Sequence, residues 1–511
     1  MHKAGAVVVG LLGAWVFYLF VQHLRGESLR YHAEAAAVWF VAAGVLLVLS
    51  TRDPHGRPAA DRSRRVATPV ALWLAFVLAA FALYWPTAGI GLLSDDFLLW
   101  DRAAGWNLSP VSSGLFRPLP LLVWALLVNA GASALALHAL NVFLHGTNAY
   151  LTTRLCAGWL GAGTSAALAG ALMIAMPLAS EPVSWPSGIF DLSMTALTLV
   201  FVLRGRTYDG HVTLAQRAGF IAIGVCAMGA KETGVMASLL VLVDAWIRSP
   251  SLFELRWASR RALLMDTAIV LAIATSFSAI RILGAFGLKS PSLSRYRVQR
   301  SLFETFGGLT VPFHADVVQH LPWLTMTAVL IVISLFIWYF VAAGRRSDRF
   351  LFGGAAWILI SVLPVFLFVF VAQDLQGARF LYLAGPAWTS LLAGLALSAE
   401  RVDLRRITIS AAVILAVLWA VAARVQMSPW IEAARLRDEV LQSAKSDQLM
   451  RQCQGVLLME LPDNVRGAYL FRNGVPEAFL RDAGIHVGDR AAPECRFRWN
   501  EPARTFSRAP E

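Results

Sequence analysis

The chain is predicted to be an all-α polytopic membrane protein, and three observations carry that prediction. Of its 511 residues, 57% are hydrophobic and only 15% are charged, whereas ordinary soluble domains are about 45–50% apolar and about 25% charged. Apolar runs long enough to cross about 30 Å of hydrocarbon recur along most of the chain. The arginines behind the net charge of +12 sit mainly in short loops between those runs, where they orient the protein and meet anionic lipid. No folded basic domain accompanies them, which argues against nucleic-acid binding.

The apolar runs lie near 4–22, 34–50, 67–86, 137–157, 162–179, 188–203, 262–282, 322–343, 350–372, 383–399 and 407–424. The first follows Lys3 without a small-residue cleavage site and reads as a retained signal-anchor. The stretch 217–247 is apolar except for Lys231-Glu232-Thr233-Gly234 at its centre. As one helix it would be about 45 Å long with an ion pair at mid-membrane. As two short helices it places the pair at a turn. Charge selects the second reading. The basic loops Arg52 to Arg65, Arg204 to Arg217, Arg248 to Arg261, Arg345 to Arg349 and Arg401 to Arg406 fall on one side only if 217–247 is a hairpin. The expectation is about thirteen transmembrane helices, N-terminus inside and C-terminus outside.

That parity puts Asp95, Asp96, Glu181, the Lys231-Glu232 turn, the loop 283–320, the stretch Asp374 to Arg379 and everything after about Gln426 on the outer side. Three parts follow: residues 1–66 with two extra N-terminal helices, a transmembrane domain over 67–425, and a small α/β tail over 426–511. In the tail, 430–446 reads as an amphipathic helix and 455–461 as a strand. Cys453 and Cys495 then lie in an oxidising compartment that permits a disulfide.

Ser94-Asp95-Asp96-Phe97 sets two adjacent carboxylates just beyond the span ending at Tyr84-Trp85-Pro86. Acids at a membrane boundary mark a functional-site hypothesis, although adjacent acids on a loop are also simply solvated. Phe116-Arg117-Pro118-Leu119-Pro120 opens an apolar stretch that suits a helix lying on the membrane surface in the first large outer loop. His138, Asn141, His145 and Asn148 recur at helical spacing and form one polar stripe. The stripe either hydrogen-bonds neighbouring helices or brings His138 to a catalytic cavity. A metal site from these histidines lacks a third ligand at suitable spacing. Glu181 and Asp191 flank a proline-rich turn. Lys231 and Glu232 could pair with each other, and Arg379-Phe380-Leu381-Tyr382 could be an aromatic-belt anchor. Arg281, Lys289, Arg295, Arg297 and Arg300 crowd an outer loop against the positive-inside trend. Acids and cations thus meet on one side: Arg and Lys suit a phosphate, and a carboxylate suits removal of a hydroxyl proton. An anionic substrate reached from the bilayer is a lipid phosphate.

In this order the motifs resemble the GT-C membrane glycosyltransferases, in their protein O-mannosyltransferase-like branch (glycosyltransferase family 39 type). That branch also holds the eukaryotic transmembrane-and-TPR O-mannosyltransferases. The resemblance rests on Ser94 to Phe97, Phe116 to Leu119, His138 to Asn148, Pro177 to Glu181 with Asp191, Lys231 to Gly234, and Arg379 to Leu383, within roughly 67–400. It implies a GT-C fold and inverting transfer of a hexose or pentose from a polyprenyl (undecaprenyl) phosphate to a hydroxyl on the outer face. Carried over, Asp95 or Asp96 is the base, with family practice leaning slightly to the first. Arg379, Lys231 and Tyr382 bind the donor lipid phosphate, and Glu181, Glu232, Arg117, His138 and Asp191 shape or support the cavity. Met176 and Ala179 replace the histidines of the family's His-Pro-x-His-x-Glu pattern, and no TPR array follows. The small tail suggests a bacterial inner-membrane enzyme whose acceptor is a protein, lipid A or another envelope glycan. No obligatory cofactor is expected, although Asp95 and Asp96 could hold Mg²⁺ or Mn²⁺. A lipid or sugar transporter is the alternative; it predicts charges at the midplane of repeated halves.

Overall fold

The computed structural model describes residues 69–109, 117–160, 166–208, 212–248, 257–285, 295–342, 348–364, 371–399, 401–453, 456–488 and 495–509. The two expected N-terminal spans and the basic loop Arg52 to Arg65 lie outside them. The described chain is overwhelmingly helical. α1 (Pro69–Tyr84) is apolar around its whole circumference and stops where Pro86 follows. α2 (Asp95–Ala104) starts with two acids in its first turn and has Arg102 in its last, the arrangement that the helix dipole favours. α3 (Pro118–Asn129) carries proline at its first position and leads through Gly131 into α4 (Ala134–Leu160).

α5 (Ala167–Ala175) ends at Met176 because Pro177 follows. The path bends by 55° at that break, and Pro182 and Pro186 then divide the chain into single-turn pieces around α6 (Ser180–Ser184) before α7 (Ile189–Gly205). Irregular backbone at this depth survives only when protein groups satisfy it. The α4 stripe does so. Asn141 Nδ2 lies 3.3, 2.8 and 3.2 Å from the carbonyl oxygens of Pro182, Trp185 and Pro186. His145 Nε2 is 3.1 Å from the carbonyl of Ile174, and Asn148 Nδ2 is 3.0 Å from that of Leu192. Gly188 is required by contact, since a Cβ there would sit 1.9 Å from the Pro182 oxygen.

The stretch 217–247 is a hairpin, as the arginine pattern predicts. α8 (Leu214–Ala230) ends at an extended Lys231, a 3₁₀ turn covers Glu232–Met236, and α9 (Ala237–Arg248) returns. The return is visible at the far end. Asp244 on α9 accepts from Arg206 at the end of α7, from Arg248 and from Trp159 at the end of α4. Arg217 and Tyr208 meet at Asp266 beside them. α10 (Trp257–Ala285), α11 (Arg295–Thr310), α12 (Ala315–His320), α13 (Pro322–Ala342), α14 (Asp348–Val362), α15 (Gly385–Leu397) and α16 (Val402–Gln426) complete the bundle. Phe350 packs on Trp159, and Thr408 bonds the Ala396 carbonyl. The described ends of four of the five basic loops therefore lie at one end of the bundle.

The expected outer loop 283–320 is largely helical, with α11 and α12 inside it. Arg300 pairs with Glu304 one turn on; the side chains of Arg281, Lys289, Arg295 and Arg297 lie outside the described residues. Five described helices are long and apolar enough to cross a membrane, six if the bent α5–α6 pair is one span. That count does not establish thirteen. The polar stripe of α4 and the breaks at 176–188 and 231 lower the apolar length of elements that remain packed in the bundle.

After α16 the helix continues as α17 (Ser428–Ser446), so one 45-residue helical run leaves the bundle. α18 (Gln448–Gln452), β1 (Val456–Met459), the hairpin β2 (Asn464–Val465) and β3 (Ala468–Tyr469), α19 (Val475–Ala483), β4 (Cys495–Asn500) and β5 (Thr505–Arg508) form the tail. β1 pairs parallel with β4, and β4 antiparallel with β5. A disulfide joins Cys453 to Cys495. A second apolar core unites the tail with α2, α3 and the Trp185–Phe190 stretch, which seats the tail on the broken segment.

Asn141→Ala should lower the thermal midpoint of the detergent-solubilised protein, because each buried carbonyl left unpaired costs about 1–3 kcal/mol. An unchanged midpoint would mean that the segment 182–186 holds itself.

Candidate active site

The acidic pair is built by a strained approach. Arg437 on α17 donates to the carbonyls of Ile90 and Leu92 at 2.8 and 2.6 Å, and His138 Nε2 lies 3.0 Å from that of Gly91. His138 thus braces the loop before α2. Ser94 then adopts φ 50° and ψ −118°, a conformation that a non-glycine residue keeps only when its surroundings over-determine it. Two contacts from the tail do so: Ser94 N donates to the Leu470 carbonyl at 2.9 Å, and Asn473 N donates to Ser94 Oγ at 3.3 Å.

The two aspartates end in opposite environments. Asp96 is wholly buried. Its Oδ1 accepts from Ser187 N at 2.9 Å and from the Ser187 hydroxyl, and its Oδ2 accepts from Leu93 N at 2.8 Å. Burial pushes its carboxyl up to about 8, against the downward pull of those donors. Asp95 is half-buried, and its Oδ1 accepts from Asn473 Nδ2 at 2.5 Å and, at 3.5 Å, from Ser94 Oγ. Among the described residues, its Oδ2 has no hydrogen-bond partner.

Each cation expected at a lipid phosphate is paired with an acid. Arg379 donates to both oxygens of Glu181, through its backbone N and its Nη1, each at 2.9 Å. Its guanidinium faces the rings of Trp185, Phe380 and Tyr469 at 4.7, 5.0 and 5.2 Å. Lys231 does not pair with its neighbour Glu232. It pairs with Asp191 in a bridge whose side chains are 3% and 4% exposed, and it lies 4.7 Å from the Phe380 ring centre. Glu232 instead receives Arg117 through two parallel bonds of 2.8 and 2.7 Å. Burial alone would raise the Glu232 carboxyl, but the Arg117 fork holds it at about 2.

The structure brings Asp95, Asp96, Glu181, Asp191, Lys231, Glu232, Arg117 and Arg379 to the bundle end opposite the basic loops. It keeps His138 and Tyr382 away from any open surface. Tyr382 is fully buried, with its hydroxyl 2.7 Å from His145 Nδ1 and 3.3 Å from Asn148 Nδ2. Its reach toward a lipid phosphate is therefore blocked by the core. The stripe hydrogen-bonds the segments around α4: His138 the loop before α2, Asn141 the broken segment, and His145 and Asn148 the helices α5 and α7. Ser187, Trp185, Tyr469 and Asn473 complete the site without any signal in sequence; only the Trp185-Pro186-Ser187-Gly188 break hints at the first two. A narrow cleft reaches Glu181 between Ser180, His314, Asp374, Gln426, Trp430 and Arg466, so the tail walls part of it.

Among the described residues, no group of three or more His, Cys, Asp or Glu could hold a metal ion. The acidic pair does not fit a shared Mg²⁺ or Mn²⁺, because both Asp96 oxygens already serve protein donors.

No family model and no curated protein matches the chain. Among solved structures it is similar to the archaeal oligosaccharyltransferase AglB from Archaeoglobus fulgidus, in complex with an inhibitory peptide and a dolichol-phosphate. The identity is 12% over 82% of this chain and 64% of that one, with a TM-score of 0.43. It is similar to ArnT from Cupriavidus metallidurans in the apo state, with 13% identity over 85% and 94% and a TM-score of 0.39. It is also similar to the arabinosyltransferase EmbB from Mycobacterium smegmatis, with 15% identity over 80% and 45% and a TM-score of 0.34. The chain thus spans under two thirds of the length of AglB. Likenesses of this size assign no residue a role, and the site's chemistry is read from this chain's own side chains.

The raised Asp96 carboxyl makes stability depend on pH. Its folded value exceeds that of an unfolded aspartate, about 3.9, so folding takes up a proton. That contribution is complete below about pH 4 and is lost as pH climbs through about 8. The midpoint of wild type relative to Asp96→Asn should therefore drop between about pH 5 and pH 8, measured by thermal unfolding. A difference that grows over that range contradicts a buried protonated acid.

Proposed function

We propose that the protein is an inverting glycosyltransferase that takes a sugar from a polyprenyl-phosphate donor and passes it to a hydroxyl acceptor. The observation that carries this reading is the free Oδ2 of Asp95 beside a cluster of buried cation–acid pairs at one end of an apolar bundle. Asp95 accepts the hydroxyl proton as the acceptor oxygen bonds to the anomeric carbon. The bond from that carbon to the phosphate oxygen breaks, and its electron pair leaves with the lipid phosphate. Arg379 meets the charge that develops there. Its neighbouring rings fix the guanidinium plane, and its partial exposure leaves donors beyond Glu181. Lys231, Arg117 and their acids set the field around it. Asp96 is structural: saturated and buried, it locks the first turn of α2 to the broken segment at Ser187.

The acceptor class is a hydroxyl on a protein, lipid A or another envelope glycan. The proposed setting is a bacterial inner membrane, with thirteen spans, a cytoplasmic N-terminus, and a periplasmic site and tail. Burial of the paired charges on broken helices is also what a transporter would show, so product chemistry must separate the two.

Asp95→Asn should cut sugar transfer at least about 100-fold, the usual contribution of a general base, while donor binding and thermal midpoint stay near wild type. Covalent transfer at an unchanged rate, or movement of lipid without any product, would overturn the reading. Sidedness supplies a separate check. In a background without Cys156 and Cys226, cysteine at 473 should react with an impermeant maleimide added to intact cells, and cysteine at 207 should not. Labelling of both or of 207 alone would remove the extracytoplasmic pocket.

A further inference from the structure

The catalytic carboxylate in this reading is not held by its own helix alone. Asp95 opens α2 directly after Ser94, whose positive φ leaves the first turn poorly determined by local preference. What pins it comes from the tail, nearly four hundred residues later. Leu470 takes the Ser94 N–H, Asn473 N donates to the Ser94 hydroxyl, and the Asn473 amide donates to Asp95 Oδ1. Gly474 follows at φ 70°, so close that a Cβ there would lie 2.6 Å from the Ser94 carbonyl.

This strap has a rigid base. Tyr469 packs on Trp185, ring centres 4.8 Å apart, and its ring is also faced by Arg379 and, at 4.8 Å, by Arg472. Arg472 is tied back to Asp463, whose carbonyl takes the Leu470 N–H. Phe471 packs against Phe479 of α19. Asn473 itself is exposed on this base, so burial does not explain why an amide stands there. Its contact with the carboxylate does. By occupying Oδ1, the amide leaves Oδ2 as the single oxygen open to a proton.

We propose that Asn473 is the positioning residue of Asp95, delivered by the tail, so that the site is complete only with the tail docked. This rests on the function proposed above. When the acceptor hydroxyl attacks the anomeric carbon and the lipid phosphate departs with the bonding pair, the proton goes to Oδ2, and Asn473 keeps Oδ1 from competing or swinging away.

The test uses the full-length protein in proteoliposomes, with radiolabelled polyprenyl-phosphate sugars extracted from the producing cells as donor and an envelope extract of cells lacking the protein as hydroxyl acceptor. Asn473→Ala should lower kcat at least about tenfold with KM for the lipid donor and thermal midpoint unchanged. Asn473→Asp, which removes the donor and adds a like charge, should lose at least as much. Asn473→Gln, which keeps a donor, should recover part of the rate. A readout independent of turnover is the labelling of Asp95 by a water-soluble carbodiimide and glycine ethyl ester, followed by mass spectrometry. It should rise severalfold in Asn473→Ala while Asp96 stays unlabelled. A wild-type kcat in Asn473→Ala, a loss confined to KM or stability, or unchanged Asp95 labelling overturns the inference. If Asp95→Asn abolishes turnover and Asn473→Ala does not, only the positioning role falls. If Asp95→Asn turns over like wild type, the proposed function falls with it.

Discussion

The site depends on one constraint: a proline-broken stretch of backbone buried inside the bundle has to find donors for its carbonyls. Pro177, Pro182 and Pro186 forbid a continuous helix through 176–188, and lipid offers no hydrogen bonds. Asn141 on α4 supplies them. The same stretch carries Glu181, which fixes Arg379, and Ser187, which fixes Asp96. Trp185 on it forms the ring surface between Arg379 and Tyr469, and Asp191 just beyond it fixes Lys231. A regular helix would spread these side chains along one face over several turns. The broken path gathers them at one end of the bundle.

Charge is managed by cross-pairing between distant elements. Lys231 bonds Asp191, and its sequence neighbour Glu232 bonds Arg117. Both bridges tie the 231 break to other elements, α7 and the start of α3. Desolvated charges are costly when single, so the pairing lets the bundle end bury several cations. Arg379 remains partly exposed and its guanidinium faces the ring of Tyr469 in the tail, which is consistent with the place proposed for the departing phosphate.

Two neighbouring aspartates acquire different chemistry from environment alone, a general way in which like residues divide roles. Three donors and complete burial commit Asp96 to architecture. Partial exposure, with the Asn473 amide and the Ser94 hydroxyl both on Oδ1, leaves Asp95 one unengaged oxygen. The disulfide-bearing tail takes part in this division, since its strap touches Ser94 and Asp95 and its apolar core continues onto α2 and the broken segment.

Composition and apolar runs made the helical membrane character legible, and the placement of arginines was enough to read 217–247 as a hairpin, because both are additive properties of short stretches. The amphipathic helix at 430–446 and the strand near 456 were legible for the same reason. Helices within 283–320 were hidden, since a polar, charge-rich stretch carries little periodic signal. The sequence also singled out the charged residues that the fold gathers at one end, but adjacency misled about partners: it could neither separate Asp95 from Asp96 nor direct Lys231 to Asp191. It placed Tyr382 at a lipid phosphate, a reach that the packed core denies it. Partner choice, burial and the arrival of Asn473 are decided by contacts between segments up to several hundred residues apart. Those contacts exist only once the broken segment is packed and the tail is seated on it.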